Sequence, residues 1–150
     1  MQVYKVPTDT EQHVRNQIAD LLMGQMDSIG MKDAYRFLQR AINLSLDSDS
    51  TAHIFVAETD EQIVGAAFLN IGISLEKGGY YVWLNDLYVN QQYRNRGIAK
   101  KLLLKIIYWA EHNDIKGIEL ETGVNNAATK ALYNSLGFYD VISKRYGFRF

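Results

Sequence analysis

Apolar and polar positions recur along this chain with two different periods, and the switches between them mark its elements. Residues 2–5 read as a short opening strand, ended by Pro7. Asp9 or Thr10 is placed to cap a helix on which Val14, Ile18, Leu21, Leu22 and Met26 recur at three- to four-residue spacing. Gly30 breaks that stripe. A second helix follows from about residue 32 to residue 44, with Ala34, Phe37, Leu38, Ala41 and Ile42 along one side, and 46–50 reads as a loop. Residues 53–58 and 63–73 read as two strands around the turn Thr59-Asp60-Glu61-Gln62, hence a hairpin. Gly78 and Gly79 turn the chain into a further strand over 80–89.

From Gly97 to about His112 the period is helical again, with Ile98, Leu102, Ile106 and Ala110 on one stripe and Lys100, Lys101 and Lys105 away from it. Residues 117–122 predict a strand. A helix over 126–136 follows, closed by Gly137 as a C-terminal cap. The closing segment sets Tyr146, Phe148 and Phe150 against Arg145, Gly147 and Arg149, the alternation of a half-buried strand. Strands and helices interleaved in this order imply an α/β (α+β mixed) fold, a mixed sheet covered by helices.

Composition narrows the picture. At 150 residues, 47% of them hydrophobic, the chain has the size of a single domain spanning 1–150, large enough for a real core. A formal net charge of −1 gives no bulk attraction to nucleic acid or to an anionic membrane. The absence of cysteine excludes disulfides, thiolate metal sites and a cysteine nucleophile. His13, His53 and His112 are isolated, so no metal is expected. With neither a signal-peptide pattern at the start nor an apolar run long enough for a bilayer, a cytoplasmic location is expected.

The most informative stretch is LNDLYVNQQYRNRGIAKK, residues 84–101. An apolar strand runs into a polar, arginine-bearing turn that ends at Gly97, where a helix starts at once. Such a loop presents unpaired backbone N–H groups at a helix N-terminus, where they and the macrodipole hold an anion. Gly97 lets the backbone come close to a phosphate, and Arg94 and Arg96 can add charge-assisted contacts. The spacing Arg94-x-x-Gly97-x-Ala99 suits a pyrophosphate and points to a nucleotide-bearing ligand. Alone it is a weak pattern.

A second motif, Asn126-x-x-Thr129-x-x-Leu132-Tyr133-x-x-x-Gly137-Phe138, follows about 30 residues further on. Together the two resemble the GNAT superfamily of acetyl-CoA-dependent N-acetyltransferases, over most of the chain. The segment Leu84-Asn85-Asp86-Leu87-Tyr88-Val89 is similar to the L-E-D-L/F-x-V of the subgroup with spermidine/spermine N-acetyltransferases and small yeast protein acetyltransferases. The resemblance implies a GNAT-type central mixed sheet of about six to seven strands flanked by about four helices. It also implies acetyl-CoA as cosubstrate and an amine acceptor, small molecule or protein, attacked directly in a ternary complex. A homodimer is compatible with it.

On that analogy, Leu87, Tyr88 and Val89 pair their backbone with the pantetheine arm, and the amides of Asn95, Arg96, Gly97, Ile98, Ala99 and Lys100 hold the pyrophosphate. Residues 126, 129, 130 and 133 share a helix face, so Asn126 can contact the pantetheine amides while Tyr133 reaches the sulfur. A phenol of pKa ~10 can protonate a departing thiolate of pKa ~8.5, which makes Tyr133 the candidate general acid. The base is less determined. Asn85 stands where the subgroup often has a glutamate, and an amide cannot take the proton. Alternation points Asn85 and Asp86 to opposite faces of the strand. Asp86 and Glu121 are the carboxylates left to orient or deprotonate the amine, unless a water chain does so.

Two rival readings have their own signals. Asn85 favours a module that binds CoA or acyl-CoA with little catalysis, and Tyr133 speaks against it. QQYRNRGIAKK can also be read as a basic nucleic-acid-binding loop, but no broad basic stripe accompanies it.

Overall fold

The computed structural model describes residues 1–26, 33–122 and 127–150. Strand β1 (Gln2–Lys5) leads into helices α1 (Gln12–Met26) and α2 (Ala34–Ser45). Strands β2 (Ala52–Thr59), β3 (Gln62–Ser74) and β4 (Gly79–Val89) follow, then a short 3-10 turn (Gln91–Tyr93), helix α3 (Ile98–His112), strand β5 (Ile118–Leu120) and helix α4 (Ala127–Ser135). The sheet order is β1-β2-β3-β4-β5; the first four strands run antiparallel and β5 is parallel to β4. Through residue 136 the elements sit close to where the periodicity puts them; Gly30 and Lys32 lie outside the described residues. Among the described residues no helix is long and apolar enough to cross a membrane.

The sheet is buried on both faces, which explains why its middle strands read as almost continuous apolar runs. Ile54 and Val56 pack with Ile18, Leu22, Ile42 and Leu46 under α1 and α2. The alternate residues, Phe55 and Ala57, join Val64, Leu69, Val82 and Leu84 beneath Ile98, Leu102, Leu103 and Ile106 of α3. Each fully buried Leu or Ile of that stripe contributes about 1.5–3 kcal/mol of transfer free energy. Gly65 sets how close α3 comes: a Cβ there would lie 3.1 Å from both Ile98 and Leu102. The β2–β3 hairpin turns on Asp60 and Glu61, both with positive φ, the backbone of a two-residue type I′ loop.

Two expectations are corrected. Among the described residues the sheet has five strands, not six to seven. Residues 138–150 form no strand, and Tyr146, Phe148 and Phe150 are exposed. Alternation creates a strand face only where a neighbouring edge can accept the ladder. Here β5, the edge strand, is only three residues long and offers a correspondingly short edge to a further strand.

Candidate functional site

The site is built around an irregularity in β4. Its register with β3 shifts between Phe68, which opposes Asp86, and Leu69, which opposes Leu84, leaving Asn85 unpaired in a β-bulge. Val82 and Leu84 face α3, and without the bulge Asp86 and Tyr88 would face it too. The extra residue advances the alternation by one. Leu87 and Val89 therefore pack on the α3 side, while Tyr88 packs against the α1/α2 cluster. Asp86 accepts a hydrogen bond from Gln25 Nε2 of α1 at 3.1 Å. The expected opposition of Asn85 and Asp86 is thereby overturned. Asn85 is exposed, and its amide lies 2.8 Å from that of Asn70. With donors matched to acceptors, it also accepts from the Trp83 indole N–H at 3.3 Å and donates to the Trp83 carbonyl at 3.1 Å. Those partners lie on the same face as Asp86, because strict alternation assumes a regular ladder and the bulge breaks it.

Pairing between β4 and β5 stops at Leu84 and Leu120. Past that point, among the described residues, β4 carries no strand on its outer edge, and a cleft of about 640 Å³ opens between it, the N-terminus of α3 and α4. Leu87, Tyr88 and Val89 line one wall, Arg94, Asn95, Gly97, Ile98, Ala99 and Lys100 the floor, and Leu132 and Tyr133 of α4 the opposite wall. The floor suits an anion. Asn95 (φ 65°) and Gly97 (φ 76°) are both left-handed, and the helix begins directly after them. Such successive turns aim backbone N–H groups into a concavity, where the first-turn donors of α3 join them. A Cβ on Gly97 would meet nothing within 4 Å, so backbone conformation and access, not packing, call for glycine there.

The two arginines behave differently. Arg94 lines the cleft, but its Nε donates to the Val89 carbonyl at 3.0 Å and its guanidinium lies over the Tyr88 ring. Arg96 lies outside the lining, stacked over Tyr93. A sequence pattern cannot tell a guanidinium that reaches an anion from one that buttresses the loop.

Tyr133 is half-buried, with its ring edge-on to Phe138 at 5.7 Å between centroids. Burial pushes its hydroxyl pKa above 10, so the phenol stays protonated across the physiological range. Ala128, Thr129 and Leu132 join it on the cleft-facing side of α4. Asn126 lies outside the described residues.

On the other side of β4 lies a separate cavity of about 250 Å³. Among its described lining residues Asp86 is the one carboxylate, and the rest are mostly apolar, with Gln25 and Ser45 the other polar members. Glu121 reaches neither cavity; its Oε2 pairs with Arg145 Nη1 of the C-terminal segment at 2.9 Å. Gln25 and Tyr93 were missed by sequence reading. Met26 and Phe37, at the junction of the first two helices, read from the sequence mainly as core, although in the family that the chain resembles this junction often borders the acceptor site; both line the second cavity.

The sequence pattern of the Acetyltransferase (GNAT) family matches residues 15–138. The chain belongs to that family. Among curated relatives, N-alpha-acetyltransferase 30 of Xenopus laevis is 33% identical over 86 residues, 56% of this chain and 30% of that protein. N-acetyltransferase 8 of Homo sapiens is 31% identical over 100 residues, 65% of this chain and 43% of that protein. The matches thus span less than half the length of these two relatives. The fold is shared with a solved probable acetyltransferase (TM-score 0.83, 21% identity, 100% of this chain and 98% of that one). It is also shared with ribosomal-protein-alanine N-acetyltransferase from Brucella melitensis biovar Abortus 2308 (TM-score 0.76, 18% identity, full coverage of both chains). The GNAT family uses acetyl-CoA as cosubstrate. The left-handed turn at Asn95 and Gly97 and the β4 edge beyond Leu84 have the polarity to suit an anion and an amide-bearing ligand.

Proposed function

We propose that this chain transfers an acetyl group from acetyl-CoA to a primary amine by direct attack in a ternary complex. The observation that carries this reading is the convergence on one cleft of an unpaired strand edge, an anion-suited helix N-terminus and a half-buried, protonated phenol. Bound acetyl-CoA supplies a thioester whose C–S bond breaks, with the electron pair leaving on sulfur, as the amine forms its N–C bond. Leu87, Tyr88 and Val89 present backbone groups to the arm, and an amide of this edge stabilises negative charge developing on the carbonyl oxygen. Asn95 to Lys100 hold the pyrophosphate. Tyr133 donates its proton to the departing sulfur and recovers one from the amine or solvent, so protons balance over the cycle.

Asp86 stands one residue from this edge and draws an ammonium group towards it. Whether Asp86 itself or a water relays the amine's proton, the amine must be neutral when it attacks. The motif Leu84-Asn85-Asp86-Leu87-Tyr88-Val89 supports kinship with the spermidine/spermine and yeast protein subgroup, and the name of N-alpha-acetyltransferase 30 supports an α-amino group as one class of acceptor. Glu121, tied to Arg145 and outside both cavities, is the weaker candidate for contact with the acceptor.

A second reading, a CoA-binding module with little catalysis, draws on one fact: no carboxylate lines the larger cleft. Calorimetry with acetyl-CoA, followed by thiol release over a panel of amines, separates the two. Binding with thiol release supports the transferase; binding without release from any amine supports the module.

A further inference from the structure

The cavity behind Asp86 is predominantly apolar. It lies between α1, α2 and the sheet, with Leu22, Ile42, Ile54 and Ala66 at its base and Phe37 and Ala41 at its exposed rim. At about 250 Å³ it exceeds the roughly 150 Å³ at which an apolar cavity stays dry and admits benzene. Its one buried polar side chain, Ser45, is spent on the Ala41 carbonyl at 2.6 Å, so nothing deep in it offers a free hydrogen bond. The one charge among its described lining residues, Asp86, is placed on β4 directly before Leu87, where the larger cleft begins. The β4 bulge is what turns Asp86 into this cavity instead of towards α3.

Charge at one end and apolar wall elsewhere define a ligand with an ammonium group on an apolar body. Resting on the transferase reading above, we propose that the acceptor is a hydrophobic primary amine, branched aliphatic or aromatic, bound with its nitrogen at Asp86 and its body between α1 and α2. A polyamine fits badly, because among the described lining residues no second anion is there to pair its second ammonium. A short polar amine leaves the apolar surface unfilled. Ala41 and Ala66 set the space available, since a larger residue at either fills it.

The test uses 2-phenylethylamine, ethylamine and spermidine with the whole protein and with Ala41→Trp, whose substitution lies on the exposed rim of α2. Ala66→Val is a second, smaller filling, and thermal melts confirm that both fold. Calorimetry of each amine alone reports the cavity, and thiol release from acetyl-CoA reports transfer. Phenylethylamine should surpass ethylamine and spermidine by about ten-fold or more, in affinity and in kcat/KM. Ala41→Trp should remove that advantage while the KM for acetyl-CoA stays unchanged. Preference for spermidine, or undiminished phenylethylamine binding in both folded variants, overturns the proposal; transfer to spermidine would leave the transferase reading standing. Phenylethylamine binding that Ala41→Trp abolishes, without thiol release from any amine, upholds the cavity's chemistry and overturns the transferase reading.

Discussion

The two faces of the central sheet carry cavities of opposite construction. On the α3 side the cleft is made from backbone: an unpaired strand edge, a left-handed turn and a helix N-terminus, all within the contiguous stretch 84–101. On the α1/α2 side the cavity is made from side chains brought together from five elements, α1, α2, β2, β3 and β4, with one carboxylate among the described residues. Backbone polarity serves a ligand part that does not vary, such as a pyrophosphate. Side-chain walls can be re-sized by single substitutions, and they suit the partner that distinguishes one relative from another.

The contrast breaks most visibly at Tyr133, which belongs wholly to the α3 side. Tyr133→Phe keeps the ring against Phe138 and removes the proton; kcat should fall about 100-fold with the KM for acetyl-CoA little changed. Because burial raises the phenol's pKa, the wild-type rate should show no falling limb from this group below pH 10. Full kcat in the mutant would assign the proton to water. Gly97→Glu comes next. It places a side chain at φ 76° and a negative charge where the anion sits, and acetyl-CoA affinity by calorimetry should drop at least about ten-fold. Unchanged affinity in a folded mutant would remove the anion floor.

Asp86→Asn probes the opposite face. It should raise the acceptor KM about five-fold and leave acetyl-CoA binding untouched, which a shared site would not allow. Asn85→Glu, at a position already engaged with Asn70 and Trp83 outside both cavities, should change the same constants by less than about two-fold.

The smallest effect concerns stability. His53, on the α3 face against Trp109 and near Lys5, has its pKa lowered to about 4, first by burial and then by the lysine's charge. A group depressed in the fold stabilises the neutral form above the unfolded pKa of ~6.5 and loses that contribution as the pH falls from there towards 4. With the ring only half-buried, the loss should be about 1 kcal/mol. Denaturant melts of wild type and His53→Gln at pH 7.5 and pH 4.5 should differ by that amount. Parallel curves would mean that His53 titrates normally.

The elements through α4 and the anion loop were legible in the sequence because their causes are local. A 3.6-residue stripe, a glycine at a left-handed position and a strand run directly into a helix need no distant partner to be read. The sequence by itself thus determined the helices, the hairpin, the order of the parts and the left-handed turn that leads into α3. It could not determine which face Asp86 serves, since one unpaired residue in the β4 ladder reverses the alternation. Nor could it show that the aromatic alternation at 146–150 finds no strand to join, because pairing depends on how much edge β5 leaves open. The apolar cavity was hidden for the same reason: its wall residues carry the pattern of a core. Whether such residues fill space or leave it empty is decided only when α1, α2 and the sheet are packed together.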